Sequence, residues 1–310
     1  MTPSLYKASD IGKIYKPRPE FATLGMNNRT PKTAFEDKRK VGVLFVDGEN
    51  DFINLDGGLP VPGAIEDSQR FLENFFYPNF GDITSVYASM DDHPLFSIFF
   101  YTWWRNRHGE APGNNDFTAI TYADIKSGAW KPIIDPLWST EYVKKLEAQA
   151  KKPLMIWPLH CLQGTPGQAL IPALSEALLY HSAARGSQLT RISKGMNPRT
   201  EHYGIFKAEI EDPKDVSTQL NTAVLDAIAK HDLIYVAGQA KSHCVLETMT
   251  QLVEYFGKTQ PETIKKIRFL MDCTSSVKHP AIDFESIANI ALDKMVQKGV
   301  VLVNSTDPIR

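Results

Sequence analysis

The sequence predicts an α/β protein: one doubly wound domain whose six-stranded, mostly parallel sheet carries helices on both faces. Three observations predict it. Apolar runs of strand length recur from Val41 to Val303. Several are followed by segments of 10–16 residues whose apolar positions repeat with helical spacing. The runs are nearly all-apolar rather than alternating, the pattern of strands covered on both faces. Parallel strands need crossover connections, and the right-handed crossover rule then favours a doubly wound sheet.

The elements follow in order. Val41–Val46 (VGVLFV) reads as the first strand, and Ile65–Phe76 as a helix through Ile65, Phe71, Leu72, Phe75 and Phe76. Ile83–Met90 is the second strand and Leu189–Ser193 the third. Asp215–Lys230 reads as one amphipathic helix through Val216, Leu220, Val224 and Ile228. Leu233–Ala237 is the fourth strand, followed by a helix over Val245–Phe256. Ile267–Met271, a helix over Phe284–Met295, and a last strand at Val300–Val303 complete the pattern.

Two stretches stand outside the alternation. Residues 1–40, polar and proline-bearing, read as an irregular arm laid over the domain at 41–310. The connection between the second and third strands is far longer than a crossover needs, and its centre, near 98–152, reads as an insertion. It opens on the aromatic run Phe99–Trp104, which is either packing or a partner surface.

Composition narrows the class. The chain has 310 residues, 34 basic against 36 acidic, and a formal charge of −2. That balance argues against nucleic acid or an anionic membrane as partner. At this length about three quarters of the unfolded surface can be buried, so neither disulfide nor metal is needed for stability. No apolar run is long enough to span a bilayer, and the N-terminus lacks the apolar stretch of a secretory signal. Three cysteines, an odd and low number, suggest free thiols in a reducing, cytoplasmic setting.

Ligands of open α/β sheets bind beyond the carboxyl ends of strands. Those ends offer Asp47, Asp91 with His93, Lys194 and Cys244, and the long connection adds His160. Cys244 stands at the start of a helix, where the dipole favours thiolate and would lower the thiol pKa. Lys194 supplies positive charge and Asp47 a proton acceptor, the components of an activated nucleophile. Asp91 and His93, two apart on an extended segment, point the same way. With His160 they make an Asp/His/His set suited to zinc, iron or manganese. Cys161 and Cys273 read as small buried hydrophobes.

In sequence order these segments resemble the nicotinamidase/isochorismatase superfamily of cysteine hydrolases. The chain carries VDGENDF (46–52) and GGLPVPG (57–63), Asp91-Asp92-His93-Pro94, WPLHCLQGTPG (157–167), Lys194-Gly195 followed by Tyr203-Gly204-Ile205-Phe206, and GQAKSHCV (238–245). It departs from the usual pattern at Glu49 (usually Gln), Asp92 (Trp), Ser97 (often a further His) and Lys241 (Thr). The likeness spans residues 40–304, apart from most of the insertion. It implies an isochorismatase-like fold and a catalytic triad of Asp47, Lys194 and Cys244. It implies an oxyanion hole from the N–H groups of Ala240 and Cys244, with a cis peptide before Ala240. Phe52, Trp157 and Tyr203 would wall the pocket, and Asp91, His93 and His160 would hold a divalent metal, zinc before iron or manganese. Cysteine and metal set together imply hydrolysis of nicotinamide to nicotinate and ammonia, a reaction of pyridine nucleotide salvage. The alternatives are another small amide or a non-catalytic binding protein. His108 is a conceivable replacement for the ligand missing at Ser97, and homo-oligomerisation stays open.

Overall fold

The computed structural model describes residues 2–150, 152–279 and 282–310. Its central sheet has six strands: β1 Val41–Val46, β2 Ser85–Asp91, β3 Leu189–Lys194, β4 Leu233–Gly238, β5 Ile267–Leu270 and β6 Val301–Val303. They lie in the order β6-β5-β4-β1-β2-β3, and every neighbouring pair is parallel. The chain therefore winds outward from β1 in one direction and resumes at β4 on the other side. The crevice of such a fold opens at the carboxyl ends of β1 and β4.

β1 and β4 are buried at every position, which explains their unbroken apolar sequence. Side chains of β1 alternate between faces: Val43 and Phe45 join one core cluster with Phe71, Phe75 and Leu174. Leu44 and Val46 join the other, with Leu225, Val245, Met249 and Phe269. Register sets up the site directly. Val46 lies beside Gly238, and Asp91 beside Lys194.

The helix expected at 65–76 runs from Ala64 to Asn79, with a π-helical stretch at Phe71–Phe76. The single helix expected over 215–230 is not formed. A 3-10 turn at Val216–Thr218 and a helix at Thr222–Ala229 replace it, and Val216 is 80% exposed. The reason is local competition. The Asp215 carboxylate accepts from the Ser217 N–H, the Asn221 amide from the Val224 N–H, and the Asn221 N–H is bonded to Phe206 O. Two cap residues thus start two separate turns.

The arm is less irregular than its sequence suggests. Glu20–Asn27 is a helix that packs on the helix Pro172–Arg185. Arg18 and Tyr15 clasp the buried Glu176 carboxylate at 2.8 and 2.9 Å.

The insertion has a core of its own. Two short antiparallel ribbons pair Trp104–Asn106 with Trp130–Pro132 and Ala119–Ile120 with Leu154–Met155, beside helices Tyr122–Ser127 and Pro136–Lys145. Phe99, Phe100, Trp103 and Trp104 are buried there with Tyr142, Val143 and Trp157. The aromatic run is therefore interior packing, not an exposed partner surface. No helix among the described residues is long and apolar enough to cross a membrane.

Candidate functional site

The carboxyl ends of four strands deliver the site. Asp47 follows β1 in the left-handed region, at φ 48°, which Asp tolerates better than most residues. Asp91 ends β2, Lys194 ends β3, and Cys244 sits in the π-helical turn Lys241–Val245 that leads into the helix Leu246–Thr259. β4 reaches this turn through Gly238, at φ 115°, where a Cβ would stand 2.0 Å from Val46 O. Only glycine lets the two central strands approach so closely. The peptide bond between Gln239 and Ala240 is cis, as the family resemblance implied.

The Lys194 ammonium is the hub. Its Nζ lies 2.9 Å from Asp47 Oδ2, 2.5 Å from Asp91 Oδ1 and 3.7 Å from Cys244 Sγ. It also donates to His202 O at 3.1 Å. Asp47 Oδ1 accepts from Ser89 Oγ at 2.6 Å. Asp47, Asp91 and Cys244 bring their ligand atoms within 4.8 Å of one another. All are buried, which decides their ionisation.

Burial by itself would strip Lys194 of its proton, but Asp47 and Asp91 reverse this and hold its pKa well above the ordinary lysine value. Burial would raise Asp91 too; there Lys194 and then His93 win, and the carboxyl stays far below its usual range. Asp47 is pushed up, by burial and the Asp91 charge against Lys194. The lowered Cys244 pKa expected from the helix position is overturned. Burial, with Asp47 and Asp91 nearby, raises it well above the ordinary thiol value despite Lys194. Cys244 therefore rests as a thiol with the Asp47 carboxyl beside it.

A second cluster shares Asp91. The ligand atoms of Asp91, His93 and His160 lie within 4.8 Å of one another. His93 Nδ1 faces Gly195 O at 3.0 Å and His160 Nδ1 faces Pro158 O at 2.7 Å. A carbonyl only accepts, so each Nδ1 carries a proton, which leaves Nε2 as the nitrogen able to bind an ion. His160 is pushed down to about 3 by burial and by His93, so it is neutral. Two imidazoles oriented by backbone carbonyls, next to a firmly ionised carboxylate, fit a divalent cation such as zinc, iron or manganese. Ser97 points elsewhere, its Oγ donating to Pro94 O at 2.7 Å, and His108 is exposed and outside the cluster.

Gly195 shapes this cluster. At φ 73°, a Cβ there would meet His93 Cε1 at 2.3 Å.

Both clusters border one cavity. Phe52, Trp157 and Tyr203 line it, together with His93, Ala240 and Cys244. Trp157 Nε1 donates to Tyr203 Oη at 2.8 Å, and the Phe52 ring stands 5.4 Å from His160. Asp47 and Lys194 lie behind Cys244. All ten residues singled out in the sequence therefore gather at one place. Cys161 and Cys273 are buried and unpaired, with thiols raised by burial, as their structural reading requires.

Sequence reasoning missed four polar residues here. Glu49 is fully buried; its Oε1 accepts the Asp91 N–H, and its Oε2 has no partner among the described residues. Burial, then the Asp47 and Asp91 charges, push its carboxyl well above the usual range, so it is a neutral acid. Its replacement of the usual Gln was the available signal. Glu201, His202 and His243 also line the cavity. Nothing in their spacing distinguishes them.

No family profile and no curated protein matches the sequence. Solved structures do match. The chain is similar to a nicotinamidase/pyrazinamidase of Acinetobacter baumanii, with a TM-score of 0.54 at 21% identity over 88% of this chain and 99% of that one. It is similar to the yeast nicotinamidase Pnc1p, with a TM-score of 0.55 at 18% identity over 85% and 99%. A further structure of Pnc1p, bound to the inhibitor nicotinaldehyde, matches with a TM-score of 0.53 at 17% identity over the same shares. At these identities the likeness is one of fold: the chain has the α/β fold of the nicotinamidases.

Proposed function

We propose that this protein is a cysteine amidohydrolase of the nicotinamidase/isochorismatase superfamily and that it hydrolyses nicotinamide to nicotinate and ammonia. Residues 41–310 form the hydrolase domain, with 1–40 as an arm and 98–152 as an insertion. The observation that carries the reading is the Lys194 ammonium. It contacts the thiol, its carboxylate partner and the carboxylate of an Asp/His/His cluster at once, behind an aromatic slot. The yeast structure bound to the inhibitor nicotinaldehyde, a pyridine carbonyl compound, supports a pyridine amide as the substrate here.

Asp47 takes the proton from Cys244 Sγ as the sulfur attacks the amide carbon. Lys194 balances the negative charge that this transfer leaves between thiolate and carboxylate. The tetrahedral oxyanion is received by the N–H groups of Ala240 and Cys244. The Ala240 N–H has no partner among the described residues. Asp47 then returns its proton to the nitrogen, the C–N bond breaks and ammonia leaves the thioester. Water gives a proton to Asp47 while attacking the thioester, the C–S bond breaks, and the thiol is regenerated as the acid departs. Phe52, Trp157 and Tyr203 hold the flat ring. A divalent metal bound by Asp91, His93 and His160 would supply a Lewis-acid anchor for the pyridine nitrogen.

The test is ammonia release from nicotinamide and a panel of small amides, with Cys244→Ala as control. Ammonia from nicotinamide that disappears in the variant is the expected result. None from the wild type overturns the substrate; equal amounts from both overturn the nucleophile.

A further inference from the structure

The insertion reaches the substrate slot through a hydrogen-bond chain that the mechanism does not use. Trp157 Nε1 donates to Tyr203 Oη at 2.8 Å, and Tyr203 Oη donates to Glu201 Oε1 at 2.5 Å. From the other side, Tyr142 Oη donates to Glu201 Oε2 at 3.0 Å and accepts the Glu201 N–H at 3.0 Å. Tyr142 belongs to the insertion helix Pro136–Lys145 and is fully buried. Lys152, where the insertion ends, places its ammonium 4.2 Å from the Tyr203 ring centre and 2.6 Å from Glu209 Oε2.

The directions of these bonds are forced. An indole N–H only donates, so Tyr203 must spend its own proton on Glu201. Tyr142 accepts from a backbone N–H and likewise spends its proton on Glu201. An ionised Glu201 satisfies every donor and acceptor in the chain. A protonated one offers a surplus proton, which one phenol can accept only by giving up its own bond.

We propose that Glu201 is a positioning residue for the substrate slot. Acting through Tyr203, it fixes the Trp157 indole, and the insertion anchors it by Tyr142 and Lys152. The consequence for turnover rests on the amide-hydrolase reading; the coupling itself does not. Burial raises Glu201 to about 7, against the pull of Lys152 and Tyr203, so the chain changes state near neutrality. The groups facing it are Tyr142 and Lys152 from the insertion, Tyr203 from its own loop and Glu209 beyond. Glu247, on the helix Leu246–Thr259, is raised to about 7 by burial and by Glu209, so it needs its own control.

The full-length protein labelled with 15N-tryptophan has five indole signals, and Trp157→Phe identifies the one that matters. We expect the Trp157 signal to titrate with an inflection near pH 7, to lose it in Glu201→Gln and to keep it in Glu247→Gln. Tyr203→Phe keeps the ring, removes the relay and should also abolish the inflection, a second route should Glu201→Gln fail to fold. With nicotinamide, Glu201→Gln should raise KM about tenfold, the equivalent of one charge-assisted hydrogen bond, with kcat within about twofold. An indole signal that does not titrate, or an inflection that survives Glu201→Gln and vanishes in Glu247→Gln, overturns the coupling. The expected titration with unchanged KM overturns the positioning role. A wild type inactive on nicotinamide refutes the amide reading, while the indole titration still decides the coupling.

Discussion

Glu49 offers a sharp quantitative test. With Glu49 ionised, three carboxylates (Glu49, Asp47 and Asp91) would surround the single Lys194 ammonium in a buried site. Burial and its two acidic neighbours instead hold Glu49 protonated, well above the ordinary value of 4.5. Between that ordinary value and its raised value in the fold, the folded chain carries one proton more than the unfolded chain. Stability from this group is complete below the unfolded value and declines as pH rises, by about 1.4 kcal/mol per pH unit. Glu49→Gln keeps an acceptor for the Asp91 N–H but cannot titrate. Its stability relative to wild type should therefore climb with pH above 5, at up to about 1.4 kcal/mol per pH unit. Urea unfolding of both chelator-treated proteins at several pH values measures the difference, and titrating groups outside this cluster cancel. A difference independent of pH would refute the neutral acid and the charge count behind it.

Other consequences are equally direct. Lys194→Met removes the ammonium between two buried carboxylates and should cost about 3–5 kcal/mol at neutral pH, less in acid where a carboxyl can protonate; denaturant unfolding reads both. Gly195→Ala drives a methyl into His93 and should weaken zinc binding about tenfold or more by chelator competition, with the fold retained. Because Cys244 is a buried thiol with a raised pKa, iodoacetamide should alkylate it no faster than a small free thiol at neutral pH; faster labelling would contradict its resting state. Trp104→Ala empties the insertion core and should cost about 3–5 kcal/mol, measured by urea unfolding.

Much of the site was legible because strand ends in an open α/β sheet face one crevice. Asp47, Asp91, Lys194 and Cys244 each follow a hydrophobic run, and that placement alone brings them together. His160 was legible only through the motif around it, since it lies in the insertion-bearing connection. The aromatic run at 99–104 could not be assigned from sequence: the same residues make a core or a surface, and only the ribbons and helices around them decide. The helix expected over 215–230 failed because apolar spacing persists through a segment that Asp215 and Asn221 divide by capping.

The sequence by itself determined the parallel sheet and the strand-end placement of Asp47, Asp91, Lys194 and Cys244. These depend on hydrophobic periodicity and on the fixed direction of strands, which are local or topological. The charge states were decided by tertiary structure alone. Helix position favours a thiolate at Cys244, but burial among carboxylates outweighs it. Glu49 is neutral and Lys194 firmly charged because of what folding removes from water and sets a few ångströms away. The link from the insertion to Tyr203 likewise exists only in the folded chain, where residues 142, 152 and 201, distant in sequence, share one buried carboxylate environment.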